Sequence, residues 1–153
     1  MDPLIASMLI SMLPIFEVRG GIPFALTLGI NPIQAFAICV IGNILVIPIL
    51  FLFLDFIHVQ FLKWNFYNKT FEKFLIKIQK RKDKIEKNYE IYGIIALGLF
   101  VAIPLPITGA WTGTLIAWLL NLKRWRSFFA ISFGIIIAAI IVSLLTLGII
   151  SLF

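Results

Sequence analysis

Long apolar stretches, divided by a few polar or helix-breaking positions, run through almost the whole chain, and their lengths decide what each can become. A helix needs about 20 apolar residues to cross roughly 30 Å of hydrocarbon. Residues 32–57 meet that length, with Asn31 as the N-cap and Pro32 at the first helical position, where a missing N–H does no harm. Residues 127–153 meet it again, opened by Ser127 and free of charge. Residues 3–30 do not, because Pro14, Gly20, Gly21 and Pro23 leave arms of only about fourteen and nine residues. Residues 91–120 carry no charge, yet Pro104, Pro106 and Gly109 divide them into two arms of about thirteen. Neither broken stretch can span with one straight helix, so each is expected to form a re-entrant helical hairpin.

Composition agrees with a bilayer as solvent. Of 153 residues, 61% are hydrophobic and 13% charged, against about a quarter charged in a soluble chain. The basic residues are clustered: nine of 13 lie between Lys63 and Lys87, and Lys123, Arg124 and Arg126 form a second group. Positive loops stay cytoplasmic. A single crossing over 91–120 would put the two clusters on opposite faces, whereas a hairpin that dips in and returns keeps both inside. The linker is amphipathic as well, with Lys69, Lys73, Lys77, Lys80, Lys84 and Lys87 at threes and fours and Trp64, Tyr67, Phe71, Phe74, Leu75 and Ile78 on another face. It reads as a helix on the anionic cytoplasmic surface, not as a nucleic-acid site.

Little in the chain points to soluble-type chemistry. Cys39 is single and sits among apolar neighbours, so it reads as a small buried hydrophobe. His58 lies three residues from Asp55 and reads as half of an interfacial pair. No metal cluster, nucleophile triad or phosphate loop stands out, so neither a cofactor nor an enzyme is expected. The opening Met-Asp-Pro lacks a basic n-region and reads as a mature N-terminus.

The halves follow one plan of broken hairpin, short polar connector and long span. An alignment matching Gly20 with Gly109, Leu26 with Leu115 and Asn31 with Asn121 needs a one-residue shift. With both basic clusters inside, the hairpins enter from opposite faces, so the repeats are inverted, a recurring transporter plan. The expected fold is therefore an all-α integral membrane protein. Its first repeat covers 1–57 (hairpin 3–30, helix 32–57), its cytoplasmic linker 58–90, and its second repeat 91–153 (hairpin 91–120, helix 127–153). Residues 121–126 are expected to be cytoplasmic too, in a multi-pass protein of the cell membrane.

The runs "LPIFEVRGGIP" and "FVAIPLPITGAWTGTLIAWLL" resemble the small multidrug export family of bacteria and archaea. In its paired hairpins that family is in turn similar to DedA or VTT-type membrane proteins, which are associated with lipid scrambling and lipid-phosphate recycling. The resemblance implies transport without naming a substrate.

The charges inside the first hairpin carry the functional reading. A lone charge at mid-bilayer costs on the order of 3 kcal/mol or more, so Glu17 and Arg19 need partners. Residues two apart on a regular helix point to different sides, and the turning backbone that Gly20, Gly21 and Pro23 favour lets the two meet. One outcome is a structural ion pair, hydrogen-bonded to carbonyls freed by Pro104 and Pro106. The other is an anion site built from Arg19, the backbone around Gly20, Gly21 and Gly109, the hydroxyls of Thr108, Thr112 and Thr114, and an apolar wall from Trp111. Glu17, a carboxylate in a low dielectric, is then the candidate proton-coupling group.

This reading describes a secondary transporter or flippase-like protein for a small amphiphilic anion such as a lipid phosphate. Two alternatives stay open: export of lipophilic cations with Glu17 as counter-charge, and a non-transporting membrane organiser acting through its basic linker. Two full spans make a thin wall, so membrane lipids and a homodimer or larger assembly are the expected partners. Gly134, Ala138 and Ala139 would allow close helix contact.

Overall fold

The computed structural model describes residues 2–61, 89–105, 108–150 and 152. Among them the secondary structure is helical throughout: α1 (Pro3–Met12), α2 (Glu17–Thr27), α3 (Pro32–Phe61), α4 (Tyr89–Ala102), α5 (Ala110–Leu119) and α6 (Arg124–Ile150). Most of the basic linker, residues 62–88, lies outside the described residues, as does Pro106.

The helix starts follow local chemistry. Asp2 accepts from the Leu4 N–H at 2.8 Å ahead of Pro3, and Asn31 accepts from the Ile33 N–H at 2.9 Å ahead of Pro32. At the other boundary, α6 begins at Arg124 and not at Ser127, because the Ser127 N–H already bonds the Lys123 carbonyl at 2.9 Å. Ser127 is fully buried one turn in, so it cannot serve as the cap.

The first break also differs from expectation. Of Pro14, Gly20, Gly21 and Pro23, only Pro14 lies in the interruption between α1 and α2, where Leu13 is extended. The other three are inside α2. The glycines serve close packing instead of turning. A Cβ on Gly21 would stand 2.8 Å from Ser11 Cβ and 3.1 Å from Cys39 Sγ, and one on Gly20 would stand 2.7 Å from Phe16 Cβ. Pro23 leaves the Arg19 carbonyl without a helical donor, and the helix runs on because α2 packs against α1, α3 and α6.

Ion pairs show how the ends gather. Asp55, near the end of α3, meets Arg124 at the start of α6 at 2.8 Å. Glu90 in the first turn of α4 lies 3.4 Å from Lys123 and 3.8 Å from Arg126, and Trp118 near the end of α5 donates to Asp55 at 3.0 Å. The end of α3, both outer ends of the α4–α5 pair and the start of α6 therefore share one polar end of the bundle. The chain leaves that end in α4, breaks, and returns to it in α5.

Buried positions in α2 and α3 recur in α5 and α6 at one spacing, which α1 and α4 do not share. The buried residues of α6 run from Ser127, Ile131, Ser132 and Gly134 through Ile135, Ala138 and Ala139 to Val142. Subtracting 92 gives Ala35, Cys39, Val40, Gly42, Asn43, Val46, Ile47 and Leu50, all buried in α3. The same shift takes Val18, Gly21, Ile22 and Ala25 of α2 onto Ala110, Gly113, Thr114 and Ala117 of α5, again all buried. It also matches the turns that follow. Ile30 N–H bonds Ala25 O at 3.2 Å and Leu122 N–H bonds Ala117 O at 3.0 Å, with Gly29 (φ 75°) and Asn121 (φ 49°) in the left-handed region between them. At this spacing Gly20 stands opposite Thr112 and Asn31 opposite Lys123, whereas the sequence alignment sets them against Gly109 and Asn121.

Two glycines at this spacing both sit at close approaches. A Cβ on Gly42 would lie 2.6 Å from Ser11 Oγ on α1, and one on Gly134 would lie 2.6 Å from the Gly98 carbonyl of α4. Gly134→Ala should therefore cost about 1–3 kcal/mol through a forced shift of α4. Gly93→Ala, whose methyl would sit at an ordinary 3.6 Å from Leu122 Cδ2, should be neutral or better. Thermal unfolding in detergent checks the pair.

Candidate functional site at the meeting of two helix breaks

The interruption between α1 and α2 and that between α4 and α5 face each other, and the residues of α2 make the junction. Glu17, the first residue of α2, has φ 48°, a left-handed conformation that costs a non-glycine residue about 1–2 kcal/mol. Such strain persists only where surroundings over-determine it, and here the side chain supplies the reason. Glu17 is 4% exposed, and its Oε1 accepts from the Trp111 N–H at the start of α5, at 3.4 Å. The carboxylate thus takes the place of an N-cap for α5, whose own N-cap residue, Gly109, makes no side-chain cap bond. A Cβ on Gly109 would fall onto the carboxyl group itself.

Arg19, two residues on, brings its Nη2 to 3.7 Å from Glu17 Oε2. The same guanidinium donates to the carbonyl of Leu105, to that of Thr108 at 2.7 Å and to the Thr108 hydroxyl at 3.1 Å. These acceptors lie in the broken backbone around Pro104, so Arg19 satisfies groups that the break leaves without helical donors. Thr108 Oγ1 is held in turn by the Ile103 carbonyl at 2.7 Å. The Trp111 indole N–H reaches across to the Met12 carbonyl, the last residue of α1, at 3.0 Å. One acid, one base and one indole therefore tie the two breaks together.

Of the residues read from the sequence, the structure brings Glu17, Arg19, Thr108, Gly109 and Trp111 into this junction. Gly20 and Gly21 pack against Phe16 and against Ser11 and Cys39 instead. Thr114 is buried and donates to the Ala110 carbonyl of its own helix at 2.6 Å. Thr112 is half-buried in the first turn of α5. Beside Trp111 an apolar cavity of about 230 Å³ is lined by Met12, Val46, Ile49, Leu50 and Phe53.

A family model described as "Putative small multi-drug export protein" matches residues 17–141, from Glu17 itself into α6. The chain belongs to the small multi-drug export protein family. No curated protein and no solved structure matches it. Two helices of this family member, Pro32–His58 and Arg124–Ile150, are long and apolar enough to cross a membrane, and family and helices together make it a membrane protein.

Sequence reasoning missed two features of this export-family chain. Asn43, 1% exposed in the middle of α3, has neither its amide N nor its O hydrogen-bonded among the described residues. A single amide inside a long apolar run was the available signal, since a buried unpaired polar group needs a partner, water or a function. The other is the Asp55 cluster. Asp55, expected from spacing to pair with His58, has Arg124 and Trp118 as direct partners, and the His58 ring stands edge-on to Trp118 at 5.3 Å.

Proposed function

We propose that the protein is a proton-coupled secondary transporter of the cell membrane that moves a small amphiphilic anion, such as a lipid phosphate, through the junction of its two helix breaks. The observation that carries this reading is the docking of the Glu17 carboxylate on the start of α5 with Arg19 at 3.7 Å. The site already holds an anionic group, the chain's own. Proton uptake by Glu17 removes the charge that α5 and Arg19 hold, and the N–H groups and guanidinium are then offered to an incoming anion of similar size. Release of the anion and of the proton restores the internal pair. The apolar cavity beside Trp111 would take the hydrocarbon part of the substrate.

The architecture proposed around this site is an inverted repeat. The 92-residue spacing of buried positions between α2–α3 and α5–α6, the meeting of the α3 end with the α6 start, and the return of α4–α5 to one polar end all favour it. In this reading both helix pairs are re-entrant from opposite faces, and the polar end carrying residues 58–90 and 121–126 is cytoplasmic by its basic residues. The apolar residues exposed along α3 and α6 give lipid and a second copy their contacts.

The test is flux into proteoliposomes with a pH gradient. Glu17→Gln should retain binding while abolishing dependence on the gradient, and Arg19→Ala should lower the rate at least tenfold. Wild-type flux in both variants would remove the mechanism. A second reading, export of lipophilic cations, is favoured by the family description and by the apolar cavity beside Trp111. It predicts the opposite sign at Arg19, with faster efflux of cationic dyes from Arg19→Ala.

A further inference from the structure

A groove of about 660 Å³ runs between α4 and α6, away from the junction, and its lining includes Gly98 and Ala102 on one side and Ala130, Phe133 and Ile137 on the other. Its depth comes from the small residues. Gly98 lets the α6 backbone approach, since an added Cβ there would lie 3.2 Å from the Ala130 carbonyl. Large apolar side chains stand exposed along its edges, among them Leu99 at 62% and Phe133 at 64%.

Its polar end is marked twice. Arg126 lines the groove, with Lys123 three residues before it; both approach Glu90, at 3.8 and 3.4 Å. Two cations against one acid leave the mouth net positive, and Arg126 makes no hydrogen bond to the described residues. At the same level Trp125 and Tyr92 are 73% and 65% exposed, and Trp125 packs edge-on against Phe129 at 4.7 Å. Exposed aromatic rings at one turn of a membrane helix mark the headgroup boundary. From Arg126 to Ile137 the helix rises roughly 16 Å, about half of a hydrocarbon core of roughly 30 Å. The groove is thus one leaflet deep.

We propose that this groove is a binding site for one anionic phospholipid of the inner leaflet, its phosphate held by Arg126 and Lys123 and an acyl chain lying between α4 and α6. Basic pockets between membrane helices on the cytoplasmic side take such headgroups, and the volume lies in the range of small-molecule sites. A second copy is a poorer occupant. Two parallel copies paired through this groove would set their cationic mouths against each other at the same depth.

The full-length protein in detergent is incubated with phosphatidylglycerol, with phosphatidylcholine of identical acyl chains, or with inorganic phosphate. Lipid retained is read by native mass spectrometry, and stability by thermal unfolding. Phosphatidylglycerol should be retained and should raise the unfolding temperature. Phosphatidylcholine should be retained at least fivefold less, and phosphate alone should do neither. Lys123→Ala with Arg126→Ala should cut phosphatidylglycerol retention more than tenfold, at about fivefold per cation removed. Ala130→Trp, which fills the groove and keeps both charges, should cut it comparably. Equal retention of the two lipids, or retention that survives either variant, would overturn the site. Loss in Arg19→Ala would move the lipid to the junction and overturn it too. Copy-to-copy cross-linking in membranes through a cysteine placed at Phe133 would give the groove to a second copy instead.

Discussion

Glu17→Ala is expected to lower the unfolding free energy by about 3 kcal/mol or more, the cost of leaving a half-buried cation without its partner. Loss of the cap on α5 would add roughly 1 kcal/mol. Alanine suffers at φ 48° much as glutamate does, so the difference reports the carboxylate and not the backbone. Arg19→Met is expected to cost a comparable amount, since it leaves the more deeply buried Glu17 carboxylate without its cation. The Glu17 carboxylate keeps the Trp111 N–H at 3.4 Å, although the Thr108 carbonyl loses its Arg19 donor and the Leu105 carbonyl is left with those from Thr108. The double variant Glu17→Ala/Arg19→Met should be more stable than Glu17→Ala alone, because no buried charge is left over. It should stay below wild type, because the Thr108 carbonyl and the Trp111 N–H lose the partners that Arg19 and Glu17 gave them. Denaturation in mixed micelles measures all four proteins. Additive losses would mean that the two side chains do not act as a pair.

How far the sequence could be read depended on whether a feature is set by local chemistry or by distant partners. The long spans and the cap at Asn31–Pro32 follow from apolar length and from residues adjacent in the chain. Pro14 and Pro104 stand in interruptions for the same local reason. Gly20, Gly21 and Pro23 were misleading because glycine and proline carry two meanings. They turn an isolated chain, but inside a packed bundle Gly21 is where α2 comes within contact of Ser11 and Cys39. The pairing of Glu17 with Arg19 was legible from the cost of isolated charge, whereas its anchorage was not. Nothing near residue 17 announces that its carboxylate ends on the Trp111 N–H, 94 positions away. The correspondence between halves was obscured for a related reason. Between α2–α3 and α5–α6 burial follows one spacing where residue identity does not, and it sets Asn43 against Ile135 and Gly29 against Asn121.

Gly109→Ala should be the most damaging single methyl in the chain. Its backbone, at φ −124° and ψ −157°, is extended and open to any residue, so no conformational penalty is involved. The injury is steric and local, since the new Cβ would occupy the space of the Glu17 carboxyl group. Either the carboxylate leaves the start of α5 or α5 moves from α2. Overpacking costs about 1–3 kcal/mol, and an expelled buried carboxylate brings the total to about 3 kcal/mol or more. Proton-dependent flux should fall below a tenth of wild type. The decisive comparison is in the Glu17→Ala background, where the colliding group is gone. There Gly109→Ala should cost less than about 1 kcal/mol, giving a coupling between positions 17 and 109 that only direct contact produces. A Gly109→Ala protein with normal flux and stability would show that the acid does not rest on that glycine, and the proposed exchange of an internal for an external anion would lose its site.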